Sequence, residues 1–226
     1  GTIAFLLLAP PASAGPPPPA TISILTTADP EPTPGVVPLP RAHAHNDYYH
    51  KRPLLDALDA GFCSIEADVH LVDGQLMVAH DRDKVEPERT LAKLYLDPLL
   101  ERVRDNGGRV YPEGPTLTLL IDFKTNGEST YPVLREVLKN YTEMLTVYTD
   151  DSTEAKAVSV IISGSRPIDM IAAESPRLVA VDGRLPDLYR DVSPHLIPLV
   201  SASWRSAFSW NGRGAMPEDE RAKLDK

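Results

Sequence analysis

From about residue 41 onward the chain alternates apolar runs of strand length with amphipathic runs of helix length. Residues 41–46 read as a first strand, and 53–60 (PLLDALDA) as a helix stopped by Gly61. Residues 63–72 form a second strand, Asp73-Gly74 a hairpin turn and 75–80 its short return strand. A helix over 91–105 stops at Asn106-Gly107-Gly108 and is followed by a strand over 117–124. A helix over 130–144, strand 158–162, helix 167–173, strand 178–181 and strand 197–203 continue the pattern, and a charged helical stretch covers 217–226. Nearly continuous apolar strands alternating with helices imply a parallel sheet covered by helices, with functional residues at the C-terminal strand ends. Counting main strands gives six, against eight in a closed barrel of typically ~250 residues. The expected fold is therefore α/β, a TIM (β/α)8-type barrel lacking its last two β-α units. An open six-stranded α/β sheet is the competing arrangement.

Three of these strands end in pairs of polar side chains two residues apart: His43 and His45, Glu66 and Asp68, Asp122 and Lys124. Successive strand residues point to opposite faces, so each pair projects one way, and neighbouring strands converge all six groups. Burying such groups without partners costs several kcal/mol, so the pattern points to a metal ion and a substrate rather than to folding alone.

Upstream of the first strand the pattern changes. Residues 3–9 (IAFLLLA) followed by Ala12-Ser13-Ala14 resemble an export signal with its cleavage site, over residues 1–14 and with its basic n-region missing, because the chain starts at Gly1. The proline-dense stretch 15–40 reads as a disordered linker, and 41–226 as the barrel domain. No run approaches the ~20 apolar residues of a membrane span, which leaves only transient contact with a membrane surface. The expected location is secreted or extracytoplasmic.

A formal net charge of −9 argues against nucleic acid as a partner, because phosphate-backbone binding needs clusters of Lys and Arg. An anionic substrate must then be met by a metal or by a few placed cations. The single Cys63, beside the strand that carries Glu66, reads as a buried structural thiol and cannot form an intramolecular disulfide.

Residues 43–81 (HAHNDYYHKRPLLDALDAGFCSIEADVHLVDGQLMVAHD) resemble the glycerophosphodiester phosphodiesterase and phosphatidylinositol-phospholipase-C-like superfamily. The likeness is strongest to the branch of the altered inheritance of mitochondria proteins and their bacterial relatives. It rests on His43, Asn46, Glu66, Asp68, Asp73-Gly74 and His80-Asp81 in order. LLIDFKT at 119–125, IISGSRP at 161–167, VDGR at 181–184 and LVSASW at 199–204 extend it toward the end of the chain. Relatives carry two further strands beyond these.

Glu66, Asp68 and Asp122 are the candidate metal ligands, since carboxylates on adjacent strand ends suit one hard divalent cation, Mg²⁺ or Ca²⁺. The competing reading is that they only pair with Lys124 or Arg184. The resemblance makes His43 and His80 an acid/base pair, a role imidazole can fill near neutral pH. Lys124 is expected to neutralise substrate phosphate. Asn46 and Arg184 are further phosphate-binding candidates, Arg184 also standing in an i, i+2 pair with Asp182, and Trp204 is a candidate for the pocket wall. His45 is left between catalysis, phosphate binding and local hydrogen bonding, and His50, His70 and His195 are assigned to structure or surface.

The resemblance implies a metal-dependent phosphoric diester hydrolase of lipid metabolism, acting on a small-molecule or lipid phosphodiester such as a glycerophosphodiester or a phospholipid head group. Two other readings compete. One is a catalytically impaired or non-enzymatic secreted barrel that binds phosphodiesters. The other is a zinc amidohydrolase-type barrel built on His43-Ala44-His45, which needs further histidines on later strands, where only His195 is available.

Overall fold

In the computed structural model, which describes residues 35–225, the chain runs through β1 (Leu39–Ala44), α1 (Leu55–Asp59), β2 (Phe62–Val72), β3 (Gln75–Val78) and α2 (Asp97–Asp105). It continues through β4 (Leu117–Phe123), α3 (Gly127–Leu138), a small hairpin of β5 (Val147–Tyr148) and β6 (Thr153–Glu154), and β7 (Val158–Gly164). Then follow α4 (Ile168–Ala172), β8 (Val179–Gly183), β9 (Leu199–Val200), α5 (Trp204–Ala207) and α6 (Glu218–Leu224). The expected signal at 1–14 and the linker up to residue 34 lie outside the described residues. The end of the expected linker differs from its reading: Leu39 and Pro40 already belong to β1.

Six strands pair in parallel in the order β1-β2-β4-β7-β8-β9, each beside its predecessor, and β3 folds back antiparallel on the end of β2. The result is a mixed α/β fold whose parallel sheet curls into a half-barrel. Among the described residues β1 and β9 end the path. The six main strands are those expected from the sequence.

The period of two sorts each strand into an outer and an inner face. Outward, Ile65, Ala67, Val69, Leu119, Ile121, Val160, Ile162 and Val181 pack with Leu99, Leu134, Leu138 and Ile171 of the helices, all fully buried. Each such side chain contributes ~1.5–3 kcal/mol on leaving water. Inward the apolar content is small: Leu120, Ile161 and Ala180, with Tyr148 against them. Glu66 on β2 stands level with Leu120, and above this layer the inner face is polar, with Asp68 on β2, Asp122 on β4, Ser163 on β7 and Asp182 on β8, so the strand ends carry chemistry rather than core.

Several boundaries moved for identifiable reasons. The expected helix at 91–105 begins as a π-helical turn, Ala92–Leu96, and becomes α-helical at Asp97, with Pro98 in the first turn, where its missing N–H leaves no gap. Helix α3 starts three residues before expectation, because the Asn126 side chain accepts the Ser129 N–H at 2.9 Å and caps it. Strand β9 is far shorter than 197–203: the Ser201 N–H is shared between Gly183 O at 3.3 Å and Asp182 Oδ1 at 3.0 Å, so the ladder weakens where a side-chain acceptor competes for its donor. No helix among the described residues is long and apolar enough to cross a membrane.

Candidate functional site

The register between β2 and β4 places Glu66 opposite Leu120 and Asp68 opposite Asp122. One oxygen from each of Glu66, Asp68 and Asp122 lies within 4.8 Å of the other two. Lys124 follows β4, tied by its N–H to Val69 O at 2.9 Å. Its Nζ sits 3.0 Å from Asp68 Oδ2 and 3.2 Å from Asp122 Oδ2. Burial pulls the Lys124 pKa down, but the Asp68 and Asp122 carboxylates outweigh it and hold the ammonium above its ordinary range.

Asp68 is the hub. It is fully buried, and its Oδ2 accepts from the Tyr48 hydroxyl at 2.7 Å and lies 2.9 Å from His80 Nδ1 and 3.0 Å from Lys124 Nζ. Its Oδ1 is buried with no hydrogen-bond partner. An unpaired buried carboxylate oxygen is costly, so this atom calls for a ligand. Three carboxylates against one ammonium leave an excess of about two negative charges, and all the donors are hard oxygens. The residues therefore fit one divalent cation such as Mg²⁺ or Ca²⁺. Among the described residues no other group of His, Cys, Asp or Glu comes together in this way.

The histidines flank this cluster. His43 is the penultimate residue of β1, and its Nδ1 lies 2.8 Å from Ser64 Oγ on β2. Desolvation at the strand end lowers its pKa below 6.5; the opposing pull of Glu66 is smaller. Because β1 ends at Ala44, His45 stands outside the strand, 70% exposed, with Nε2 3.5 Å from Glu66 Oε2. His43 and His45 are 6.5 Å apart between ring centres, and both line the cleft over the strand ends. His80 follows β3, held through Nδ1 by Asp68, and its backbone carbonyl lies 3.2 Å from Nε2 of the buried His70. The structural role expected of His70 thus includes holding the His80 backbone.

Asn46 adopts the left-handed conformation, φ 54°, which Asn tolerates better than most side chains, and its backbone N–H, not its amide, donates to Glu66 Oε2 at 2.9 Å. Its Oδ1 lies 2.6 Å from the Tyr48 hydroxyl. Tyr48 was not singled out by the sequence, yet its hydroxyl touches Asn46, Asp68 and His80 at once. It lies on a 3-10 turn, outside any period of two, and the only available signal was its place in the HAHNDYY segment. Asp47 was missed for the same reason. Fully buried, it accepts from the Leu54 N–H at 2.5 Å and the Tyr95 hydroxyl at 2.9 Å, and burial pushes its carboxyl pKa up. It fixes a strained γ-turn at Leu54 (φ 65°, ψ −55°), closed by Leu55 N–H to Pro53 O at 2.8 Å.

A cleft of about 690 Å³ opens over the strand ends, with His43, Glu66 and Asp122 on one side and Ser163, Arg184 and Ser201 on the other. Arg184 is thus brought to the site, held by the buried Asp182. Trp204 is not among the residues lining this cleft. It stacks on Phe208, with ring centres 4.3 Å apart, and donates to Trp210 O, in a separate aromatic group that starts at the first residue of α5, while Ser203 just before that helix and Ser206 within it face the cleft instead. His195 lies by Thr153, its Nδ1 2.9 Å from Oγ1, and joins neither His43 nor His45. Cys63 is buried, with its thiol pKa raised by desolvation.

The model of the AIM6-like phosphodiesterase domain matches residues 31–182, two-thirds of the chain. The chain belongs to this family. It is similar to an Altered inheritance of mitochondria protein 6 homolog of Arthroderma benhamiae, 33% identical over 69% of this chain and 56% of that protein. It is likewise similar to Altered inheritance of mitochondria protein 6 of Eremothecium gossypii, 33% identical over 73% of this chain and 48% of that protein. A third such relative, from Lachancea thermotolerans, is 37% identical over 58% of this chain and 35% of its own length. The chain spans about half the length of the first two relatives it matches. No solved structure matches it. The AIM6-like match contains the carboxylate cluster, both flanking histidines, Tyr48 and Lys124, and ends at Asp182.

Proposed function

We propose that the chain is a metal-dependent phosphoric diester hydrolase acting on glycerophosphodiesters or phospholipid head groups. The observation that carries this reading is the convergence of Glu66, Asp68 and Asp122, with Asp68 Oδ1 buried and unpartnered and His43 and His80 on either side, in a member of a phosphodiesterase-like family. Glu66, Asp68 and Asp122 would hold a divalent cation, Mg²⁺ or Ca²⁺, which when bound supplies charge neutralisation to a phosphoryl group.

The chain's own groups do the rest. His43, kept neutral at pH 7 by its lowered pKa, accepts the proton of the attacking hydroxyl. Asp68 holds His80 by Nδ1, which leaves Nε2 to protonate the leaving alkoxide. Tyr48 fixes the Asp68 and His80 positions, and Lys124 offers a cation to the phosphate. In this reading the half-barrel is the greater part of a (β/α)8 barrel, and the enzyme is exported, an expectation carried by residues 1–14 alone.

A screen of glycerophosphodiesters, lysophospholipids and phosphoinositides with Mg²⁺ or Ca²⁺ tests the proposal. His43→Ala and His80→Ala should each lower turnover by about 10²–10⁴-fold while leaving the fold intact. Unchanged turnover in either variant rejects the role given to that histidine. The zinc amidohydrolase alternative loses its support, because His195 is held elsewhere by Thr153.

A further inference from the structure

Across the cleft from the carboxylate cluster lies a second polar group that the reaction above does not use. Asp182, fully buried at the end of β8, accepts from Ser163 Oγ and Ser201 Oγ, both at 2.7 Å, and pairs with Arg184. These contacts fix the Arg184 guanidinium but do not saturate it. Nη1 also donates to Gly183 O at 3.0 Å and lies 3.4 Å from Ser201 Oγ, and Nη2 reaches Ser163 Oγ at 3.3 Å. Nε has no partner among the described residues, and the side chain is 39% exposed at the cleft wall.

Next to Arg184, outside the residues that line the cleft, stands Arg166, from the loop after β7, half-buried and anchored by Nη1 to the Asp182 backbone carbonyl. Partial burial and the neighbouring Arg184 charge together lower the Arg166 pKa, which marks two guanidiniums held close against their repulsion. Arg166 has no carboxylate partner among the described residues. Asp187, the other acid nearby, accepts the Arg184 N–H and pairs with Arg190. Three guanidiniums, Arg166, Arg184 and Arg190, thus face two carboxylates, Asp182 and Asp187, a local positive excess on a chain of net charge −9.

Clustered, partly desolvated arginines with spare N–H groups suit a phosphate or carboxylate, while the Ser163 and Ser201 hydroxyls give their protons to Asp182 and so only hold that carboxylate in place. The register gives the spacing. Asp122 lies opposite Ser163, which bonds Asp182 on the next strand, so the two polar groups are two strand spacings apart, on the order of 10 Å.

We infer that Arg166 and Arg184, positioned by Asp182 and the two serines that hold it, form a second anion subsite, and that the preferred diester carries a further phosphomonoester or carboxylate beyond its scissile phosphate. This rests on the hydrolase reading above, and the test separates the two. Turnover would be compared for glycerophosphoinositol against its 4-phosphate and for glycerophosphoethanolamine against glycerophosphoserine, using the full chain, Arg166→Gln and Arg184→Gln. The doubly anionic member of at least one pair should be favoured by about tenfold to a hundredfold in kcat/KM, mostly through KM. That ratio should collapse in both variants and return in part in Arg166→Lys, with unchanged thermal melting of Arg166→Gln as the control for folding. The phosphate pair and the carboxylate pair tell the two anion types apart. Equal rates within both pairs, or a preference that survives both substitutions, overturn the subsite. If no diester is turned over, calorimetric titration with inorganic phosphate in the presence of chelator decides. Binding lost in Arg166→Gln upholds the subsite while rejecting the hydrolase, and no binding overturns the subsite.

Discussion

Gly164 ends β7 with φ +66°, and a Cβ placed on it would stand 2.1 Å from Asp122 Oδ1 and 2.5 Å from Phe123 O. Gly74, in the β2–β3 turn, has a similar φ of +78° with nothing within 4 Å. The pair therefore separates backbone strain from steric conflict at the cluster. Gly74→Ala should cost only the left-handed penalty, ~1–2 kcal/mol. Gly164→Ala adds overpacking against a backbone carbonyl and a carboxylate, typically ~1–3 kcal/mol more, for a total of about 2–5 kcal/mol. Urea denaturation in chelator reads both numbers. Repeating it with Mg²⁺ or Ca²⁺ adds a second readout. A ligand at 100 times its Kd stabilises by about 2.7 kcal/mol, a gain that wild type and Gly74→Ala should show and that Gly164→Ala should lose, because the displaced oxygen belongs to a proposed ligand. Equal costs for the two alanines, or a full cation gain in Gly164→Ala, would refute the claim that Gly164 makes room for Asp122.

Two further outcomes follow from groups near the site. Asp47→Ala leaves the Leu54 N–H and the Tyr95 hydroxyl unpaired, and at ~1–3 kcal/mol for each buried group it should destabilise the fold by about 2–6 kcal/mol by urea denaturation; a loss under 1 kcal/mol would show that the γ-turn does not depend on it. Because the His43 pKa is lowered from 6.5, the acid limb of kcat/KM against pH should turn below 6.5. The same shift means that the unfolded chain binds this proton more readily than the folded one. Stability should therefore fall as pH drops from 6.5 through the lower folded pKa, and His43→Gln should flatten that slope; a limb above 6.5 would contradict the assignment.

The legible parts of this chain are those written in periods. Alternation at Glu66/Asp68 and at Asp122 gave strand, face and neighbourhood together, because a residue on the inner face of a parallel strand has few places to go. Lys124 is legible in the same alternation as Asp122, whereas His80, outside all three pairs, is indicated only by the family resemblance. Tyr48 and Asp47 were not legible, because a 3-10 turn carries no period and their importance comes from where Asn46 and Leu54 bend the chain. Trp204 failed for a related reason. β9 ends after two residues, where Asp182 shares the Ser201 N–H with Gly183 O, and Trp204 then starts a helical turn with its ring against Phe208 and Trp210 rather than in the cleft. His45, just past the end of β1, still lines the cleft with His43, its Nε2 3.5 Å from Glu66 Oε2.

The central claim is that the carboxylate cluster holds a divalent cation on which diester cleavage depends. Its most direct test is turnover of a glycerophosphodiester by chelator-stripped protein titrated with Mg²⁺ and with Ca²⁺, in wild type and in Glu66→Gln and Asp122→Asn. The account predicts no turnover after stripping, saturable recovery with one of the two ions in wild type, and no recovery in the variants at the same concentrations. Turnover that survives stripping, or that recovers equally in the variants, would contradict it.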